Sequence, residues 1–272
     1  MKVAADSARI EVDGQSIAYR MVGAGPPLVL LHGGWEDSRS WRLQLESLAD
    51  EYTVIAWDAP GCGRSDDPPE GVRLGYYADT LAGLIRELGI GHPHVLGLSF
   101  GGGLAIELYR RHPDVPRSLI LVGAYAGWAG SLPADVVDER VRRIREQTQR
   151  PPAEWAESYL PTFFATPIPR EWIDEMLAIM SDSRPSGMVA ILSAFAEADL
   201  RDVLPTIAVP TLILNGELDE RAPLRIAEGL HASIPGSQLV VIPGVGHCCN
   251  LEAPKAFDAV VRHFLRQHPI NK

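Results

Sequence analysis

The chain has 272 residues, 46% of them hydrophobic and 22% charged, with a formal net charge of −10. That length buries a full core and the composition is globular. The acidic balance speaks against a nucleic-acid partner, whose phosphates need a basic face, and against an anionic membrane surface. The stretch from Met1 to Asp13 carries charges every few positions and no apolar run, so no signal peptide is expected. No run approaches the roughly 20 apolar residues of a membrane span. Cys62, Cys248 and Cys249 read as free thiols of a reducing compartment, which makes a cytoplasmic location the expectation. No Cys-x-x-Cys or His-x-x-x-His spacing occurs, and neither a metal nor a cofactor is expected.

The chain opens with a hairpin pattern: Ile10 and Val12 alternate with polar neighbours, Asp13-Gly14 signals a type I′ turn, and Ile17 to Val22 alternates again. Leu28 to Leu31 is a short continuous apolar run, as in a strand buried on both faces. Strands and helices then alternate. Trp41, Leu45 and Leu48 predict a helix, Tyr52 to Trp57 a strand, and Tyr77, Leu81, Leu84, Ile85 and Leu88 an amphipathic helix. His94 to Leu98 reads as a strand, Phe100 to His112 as a helix and Ser118 to Val122 as a strand. This order predicts an α/β fold, a mostly parallel β-sheet flanked by helices.

Residues 129–204 break the pattern. Only helical stretches occur there, separated by proline: Asp135 to Thr148, Ala153 to Phe164, Arg170 to Met180 and Ser186 to Ala198. Strand signals return at Pro210 to Leu214 and Leu239 to Ile242, and a last helix carries Phe257, Val260, Val261 and Phe264 on one face. The expected organisation is a core of residues 1–128 and 205–272, with 129–204 as a helical cap over the sheet's carboxyl edge, where ligands bind in open α/β folds.

The strongest local signal is Gly97-Leu98-Ser99-Phe100-Gly101, a G-x-S-x-G sequence between a strand and a helix. Such a nucleophile elbow forces a strained backbone on the serine and exposes its hydroxyl at a helix N-terminus. A serine hydroxyl is a weak nucleophile and needs a base, which in turn needs an orienting acid. His247, in the glycine-rich loop after the last predicted strand, is the base candidate. Asp219, in the loop after Leu214, is the acid candidate, with Glu217 and Glu220 as alternatives close by. The order Ser, Asp, His is that of α/β-hydrolases. Gly34, in His32-Gly33-Gly34-Trp35, and Phe100 are placed to give the two backbone N–H groups of an oxyanion hole. His32 reads as structural. Trp35, Tyr125 and Trp128, near predicted strand ends, together with Phe163 and Trp172 of the cap, are candidate pocket residues.

In this order, His32-Gly33-Gly34, Asp58 to Ser65, Gly97 to Gly102, Gly216 to Asp219, and Gly246-His247 with Glu252 and Pro254 resemble the landmarks of the α/β-hydrolase superfamily, from about Ile10 to Leu265. The resemblance implies that the Asp58 to Ser65 loop is structural. Ser99 departs from the aspartate of haloalkane dehalogenases and epoxide hydrolases, and Trp35-Glu36 from the Pro-Gly of proline iminopeptidases. The chain is similar to small esterases, enol-lactonases and cofactor-free haloperoxidases. The expected activity is cleavage of a small or medium, mainly apolar carboxylic ester or lactone through an acyl-enzyme. The alternatives are a carbon–carbon bond hydrolase or haloperoxidase (perhydrolase) with the same triad, or a non-catalytic ligand-binding protein on the same fold. A small-molecule substrate is the expected partner, for a monomer or homo-oligomer.

Overall fold

A computed structural model describes residues 7–270. Met1 to Asp6, part of the stretch read as lacking a signal peptide, lie outside the described residues. The strands are β1 (Ser7–Val12), β2 (Gln15–Val22), β3 (Pro27–Leu31), β4 (Thr53–Trp57), β5 (His94–Leu98), β6 (Ser118–Val122), β7 (Thr211–Gly216) and β8 (Gln238–Ile242). They form one sheet in the order β1-β2-β4-β3-β5-β6-β7-β8. β2 pairs antiparallel with both β1 and β4, and every other pair is parallel. In the hairpin turn Asp13 and Gly14 both take positive φ, 49° and 82°, as a type I′ turn requires.

All residues of β5, β6 and β7 are buried. Successive side chains point to opposite faces, so both faces of the sheet are covered. That is why these strands read as continuous apolar runs instead of alternating ones. α1 (Arg42–Ser47), α2 (Leu74–Glu87) and α3 (Phe100–Arg111) follow β3, β4 and β5, and α3 packs on α2 and β5.

Between β6 and β7 the chain holds only helical elements: α4 (Ala134–Gln147), α5 (Leu160–Phe163), α6 (Arg170–Ser181) and α7 (Pro185–Ala196). The single helix expected over Ala153 to Phe164 is instead two 3-10 turns, Pro152–Glu154 and Ala156–Tyr159, followed by the short α5. Pro161, inside that span, lacks the N–H that a continuous helix would need. This helical region is tied to the sheet by Arg39–Asp182 (2.7 Å) and Arg42–Glu175 (3.0 Å). Arg184 adds bonds to the carbonyls of Gly63 and Ser65. Exposed pairs of this kind contribute about 0–1 kcal/mol each, so apolar packing carries the attachment. Phe195 of α7 does so, with its ring 5.5 Å from Phe100 and 5.7 Å from Trp128.

After β7 come α8 (Leu224–Ser233), α9 (Cys249–Glu252) and α10 (Pro254–Gln267). Neither α8 nor α9 is among the expected helices. The α8 stripe Ala227 and Leu230 is short and mixed with polar residues, and α9 spans one turn. Among the described residues no helix is long and apolar enough to cross a membrane.

Candidate active site

The site is built at the carboxyl ends of β3, β5, β7 and β8. β5 ends at Leu98 and α3 begins at Phe100, which leaves Ser99 alone to make the turn, at φ 53° and ψ −109°. A non-glycine residue there is strained, by about 1–3 kcal/mol. Close packing holds it: a Cβ on Gly97 would lie 2.1 Å from the Gly101 carbonyl oxygen, and one on Gly101 would lie 2.3 Å from that of Leu31. The two glycines that flank the serine are therefore demanded by backbone approaching backbone. Ser99 itself is only partly buried.

Loops after β7 and β8 bring the candidate acid and the candidate base together. His247 Nδ1 lies 2.7 Å from Asp219 Oδ2, and both residues are buried. The other carboxylate oxygen, Oδ1, accepts the N–H groups of Arg221 and Ala222, each at 2.8 Å. With a carboxylate as acceptor, Nδ1 carries the ring proton and Nε2 keeps its lone pair. Of the three carboxylates weighed as partners of His247, Asp219 is the one bonded to it. Glu217 instead accepts the Gly244 N–H at 2.8 Å, and Glu220 stands at the solvent side.

The loop that carries His247 is itself clamped. Glu252 accepts the Gly246 N–H at 2.7 Å and both the N–H and hydroxyl of Thr166 at 2.6 Å, and the Cys248 N–H donates to the Phe163 carbonyl. Gly123, at φ 48° just past β6, lies against the acid–base pair: a Cβ there would sit 3.0 Å from the imidazole and 3.1 Å from Asp219 Oδ2. Sequence reasoning missed this position, although a glycine closing an apolar strand at the sheet's carboxyl edge is a readable signal.

Ser99 and His247 line one cavity of about 200 Å³. No hydrogen bond joins the Ser99 hydroxyl to the imidazole among the described residues. Catalytic hydrogen bonds of this type commonly tighten when substrate binds. Gly34 and Phe100 line the same cavity, and neither N–H is committed to another acceptor among the described residues. Gly33 differs, since its N–H is held by Glu36 Oε2 at 3.0 Å. His32 takes the Ala59 N–H on Nε2 and donates from Nδ1 to the Gly33 carbonyl, so both ring nitrogens are used in shaping the loop. Asp58 is equally engaged, accepting the N–H groups of Ser38 and Arg64.

Three of the five expected pocket residues, Trp35, Trp128 and Phe163, line this cavity. Tyr125 does not. Its buried ring lies behind Phe195, and its hydroxyl donates to the Arg221 carbonyl. Trp172 lies elsewhere, in a small cleft between α6 and the Arg39 to Leu43 segment, with Leu251. Sequence reasoning missed Leu192 and Phe195, and also Arg140, Arg143 and Arg221, all of which line the cavity. In α4 the periodicity could have found two of these arginines: Arg140, Arg143, Ile144 and Gln147 fall at i, i+3, i+4 and i+7, one face of the helix.

Cys248 and Cys249 directly follow His247, but burial pushes both thiols up, away from the reactive thiolate form. Among the described residues all three cysteines are free and buried, and no cluster suited to a metal ion occurs.

Comparison with known proteins agrees with this fold. A model of the alpha/beta hydrolase family matches residues 28–260. The chain is similar to a thermophilic esterase from Thermogutta terrifontis, at 30% identity and a TM-score of 0.86, covering 97% of this chain and all of that one. An esterase from Exiguobacterium antarcticum is 30% identical with a TM-score of 0.87, over 95% and 99% of the two chains. Among curated sequences, the pimeloyl-[acyl-carrier protein] methyl ester esterase of Aeromonas hydrophila is 29% identical over 92% of this chain and 99% of its own.

Proposed function

Since the chain belongs to the alpha/beta hydrolase family, we propose that it is a serine hydrolase cleaving a small or medium, mainly apolar carboxylic ester or lactone through an acyl-enzyme. The observation that carries this reading is the buried His247–Asp219 hydrogen bond of 2.7 Å, opening on a cavity shared with Ser99. Ser99 Oγ attacks the acyl carbon while His247 Nε2 takes its proton. The N–H groups of Gly34 and Phe100 hold the oxyanion, and Asp219 stabilises the imidazolium. Protonated His247 then gives its proton to the leaving alkoxide. Water, deprotonated by the same imidazole, attacks the acyl-enzyme to release the acid and restore the Ser99 hydroxyl.

The cavity is smaller than the roughly 300–1,000 Å³ of drug-sized sites, which favours a compact substrate. Its apolar lining includes Trp128, Phe163, Leu192 and Phe195. The similarity to esterases supports the same chemistry. A serine-directed phosphonate tests the proposal directly. It is expected to label the protein once, at Ser99, and to abolish turnover of short-chain p-nitrophenyl esters in proportion to labelling. Full activity in labelled protein, or labelling at a different residue with loss of activity, would overturn it.

A further inference from the structure

Three guanidinium groups reach the cavity that holds Ser99 and His247: Arg140 and Arg143 from α4, and Arg221 from the loop after Asp219. Arg140 donates to the Tyr125 hydroxyl (3.2 Å) and to the Arg221 carbonyl (3.0 Å), with its Cζ 5.2 Å from the Trp128 ring. Arg221 donates to Thr162 Oγ1 (3.1 Å), and its Cζ lies 4.9 Å from the Phe163 ring and 5.3 Å from that of Tyr159. Each guanidinium carries more N–H donors than these neutral contacts use.

Arg140 and Arg221 are both partly buried, and among the described residues neither forms an ion pair with a carboxylate. Arg39, Arg42, Arg184 and Arg262, buried to a comparable degree, are each paired with an aspartate or glutamate. Carboxylates are in excess throughout this chain, 35 against 25 basic residues, so two partly buried cations left without one are an exception. Removing a charge from water without a counter-ion is costly, and the aromatic rings recover only about 0.5–2 kcal/mol.

Two carboxylates share the cavity. Glu36 is buried and engaged with the Gly33 N–H and the Cys248 thiol, and Glu220 is exposed. Arg143 is ion-paired with Glu139 at 3.8 Å. The cavity guanidinium groups without a carboxylate among the described residues are therefore Arg140 and Arg221, joined through the Arg140 bond to the Arg221 carbonyl, and one carboxylate can serve both.

We infer that the substrate carries a single carboxylate on one arm, held by Arg140 and Arg221 with Arg143 at the outer side, while the apolar walls hold the body of the molecule. This inference rests on the serine-hydrolase reading and names the substrate class for it. The guanidinium fork matches a carboxylate with two parallel hydrogen bonds, and the low-dielectric wall strengthens them.

The test compares p-nitrophenyl hydrogen adipate with p-nitrophenyl methyl adipate, in which a methyl group masks the carboxylate charge. The expected result is a kcat/KM at least about tenfold higher for the acid at low ionic strength, falling as salt is added. Arg140→Gln and Arg221→Gln are each expected to lower the acid-to-methyl ratio about tenfold, and Arg143→Gln, on an exposed helix face, to lower it a few-fold. Damage to the fold would depress both substrates alike and leave the ratio unmoved. Calorimetric binding of monomethyl adipate and dimethyl adipate to the Ser99→Ala protein separates the two readings. If neither ester is hydrolysed by the wild type, the hydrolase reading fails. Tighter binding of the monoacid, lost in Ser99→Ala/Arg140→Gln, would still support the arginine site. A ratio at or below one that the arginine variants do not change, with equal binding of the two adipates, would overturn the inference.

Discussion

Two buried histidines lie at opposite ends of the same sheet. His247, beyond the carboxyl end of β8, is 3% exposed; His94, at the amino end of β5, is 1% exposed. His247 faces a carboxylate and a cavity. His94 faces the Ser118 hydroxyl at 2.7 Å, its Nε2 has no partner, and its pKa is held down to about 4, first by burial and then by the charges of Arg117 and His268. Burial alone keeps an imidazole neutral and inert. What turns one of these two rings into a candidate base is an acid placed on its far nitrogen and space in front of its near one. Neither feature belongs to the histidine itself.

The sharpest way to break the contrast is Asp219→Asn. Oδ1 of Asp219 is pinned by two backbone donors, so the amide NH2 of an asparagine would face His247 Nδ1 and force the ring proton onto Nε2. The ring would then present a donor to Ser99, and kcat is expected to fall roughly 10⁴-fold with the fold retained. A loss below about tenfold in steady-state kinetics would show that the aspartate does not set the tautomer.

The other histidine governs stability instead. Its folded-state pKa of about 4 lies below the ordinary 6.5, so the unfolded chain binds the proton more readily. Its contribution is complete above pH 6.5 and is lost as pH falls towards 4, by roughly 3 kcal/mol at the lower end. Urea midpoints at pH 7 and pH 4.5 for the wild type and His94→Asn are the measurement, and the wild type should lose more. Parallel losses would assign the acid sensitivity to other groups.

Gly123→Ala tests how tightly the carboxyl-edge pair is packed. The new methyl, 3.0 Å from the imidazole at a positive φ, is expected to displace the ring and lower kcat about 10²-fold. It should also cost about 1 kcal/mol of stability from the backbone conformation. An unchanged kcat with that same loss of stability would mean that the ring tolerates displacement. The smallest effect is expected from Ser118→Ala. It removes the neutral hydrogen bond to His94 at a cost of about 1 kcal/mol in the urea midpoint at pH 7, and activity should not change.

The strand ends were legible because chemistry and geometry coincide there. Continuous apolar runs marked β3, β5 and β6, and the glycines around Ser99 answered to backbone contacts that allow nothing larger. The Ser, Asp and His positions could be named because each sits just past such a run. The cap was harder. Its helices were readable from periodicity, apart from the proline-broken stretch around residues 152–163, but their facing was not. Trp172 shares a stripe with Met176 and Ile179, and that stripe turns towards Arg42, away from the cavity. Arg140 and Arg143 look in the sequence like part of a solvated charged face, alongside Arg142 and Arg145. The Ile144 face separates Arg140 and Arg143 from Arg142 and Arg145, but only the tertiary docking of α4 shows that this face borders the cavity. Tyr125 sits at a strand end as expected, yet α7 covers it. Which aromatic ring is wall and which is filler depends on how helices pack over the sheet, and no local pattern records that.

Asp219 and Arg221 are two residues apart in one short loop: the carboxylate is bonded to His247 Nδ1, and the guanidinium enters the cavity that His247 lines. On the proposed reaction and substrate class, rate and selectivity are wired into that single turn. A chimera that exchanges the helical region 129–204 for a relative's would replace two of the three cavity arginines and leave the third behind. Retuning this protein for a new substrate by that exchange therefore needs a matching edit at position 221, made without shifting its neighbour two places upstream.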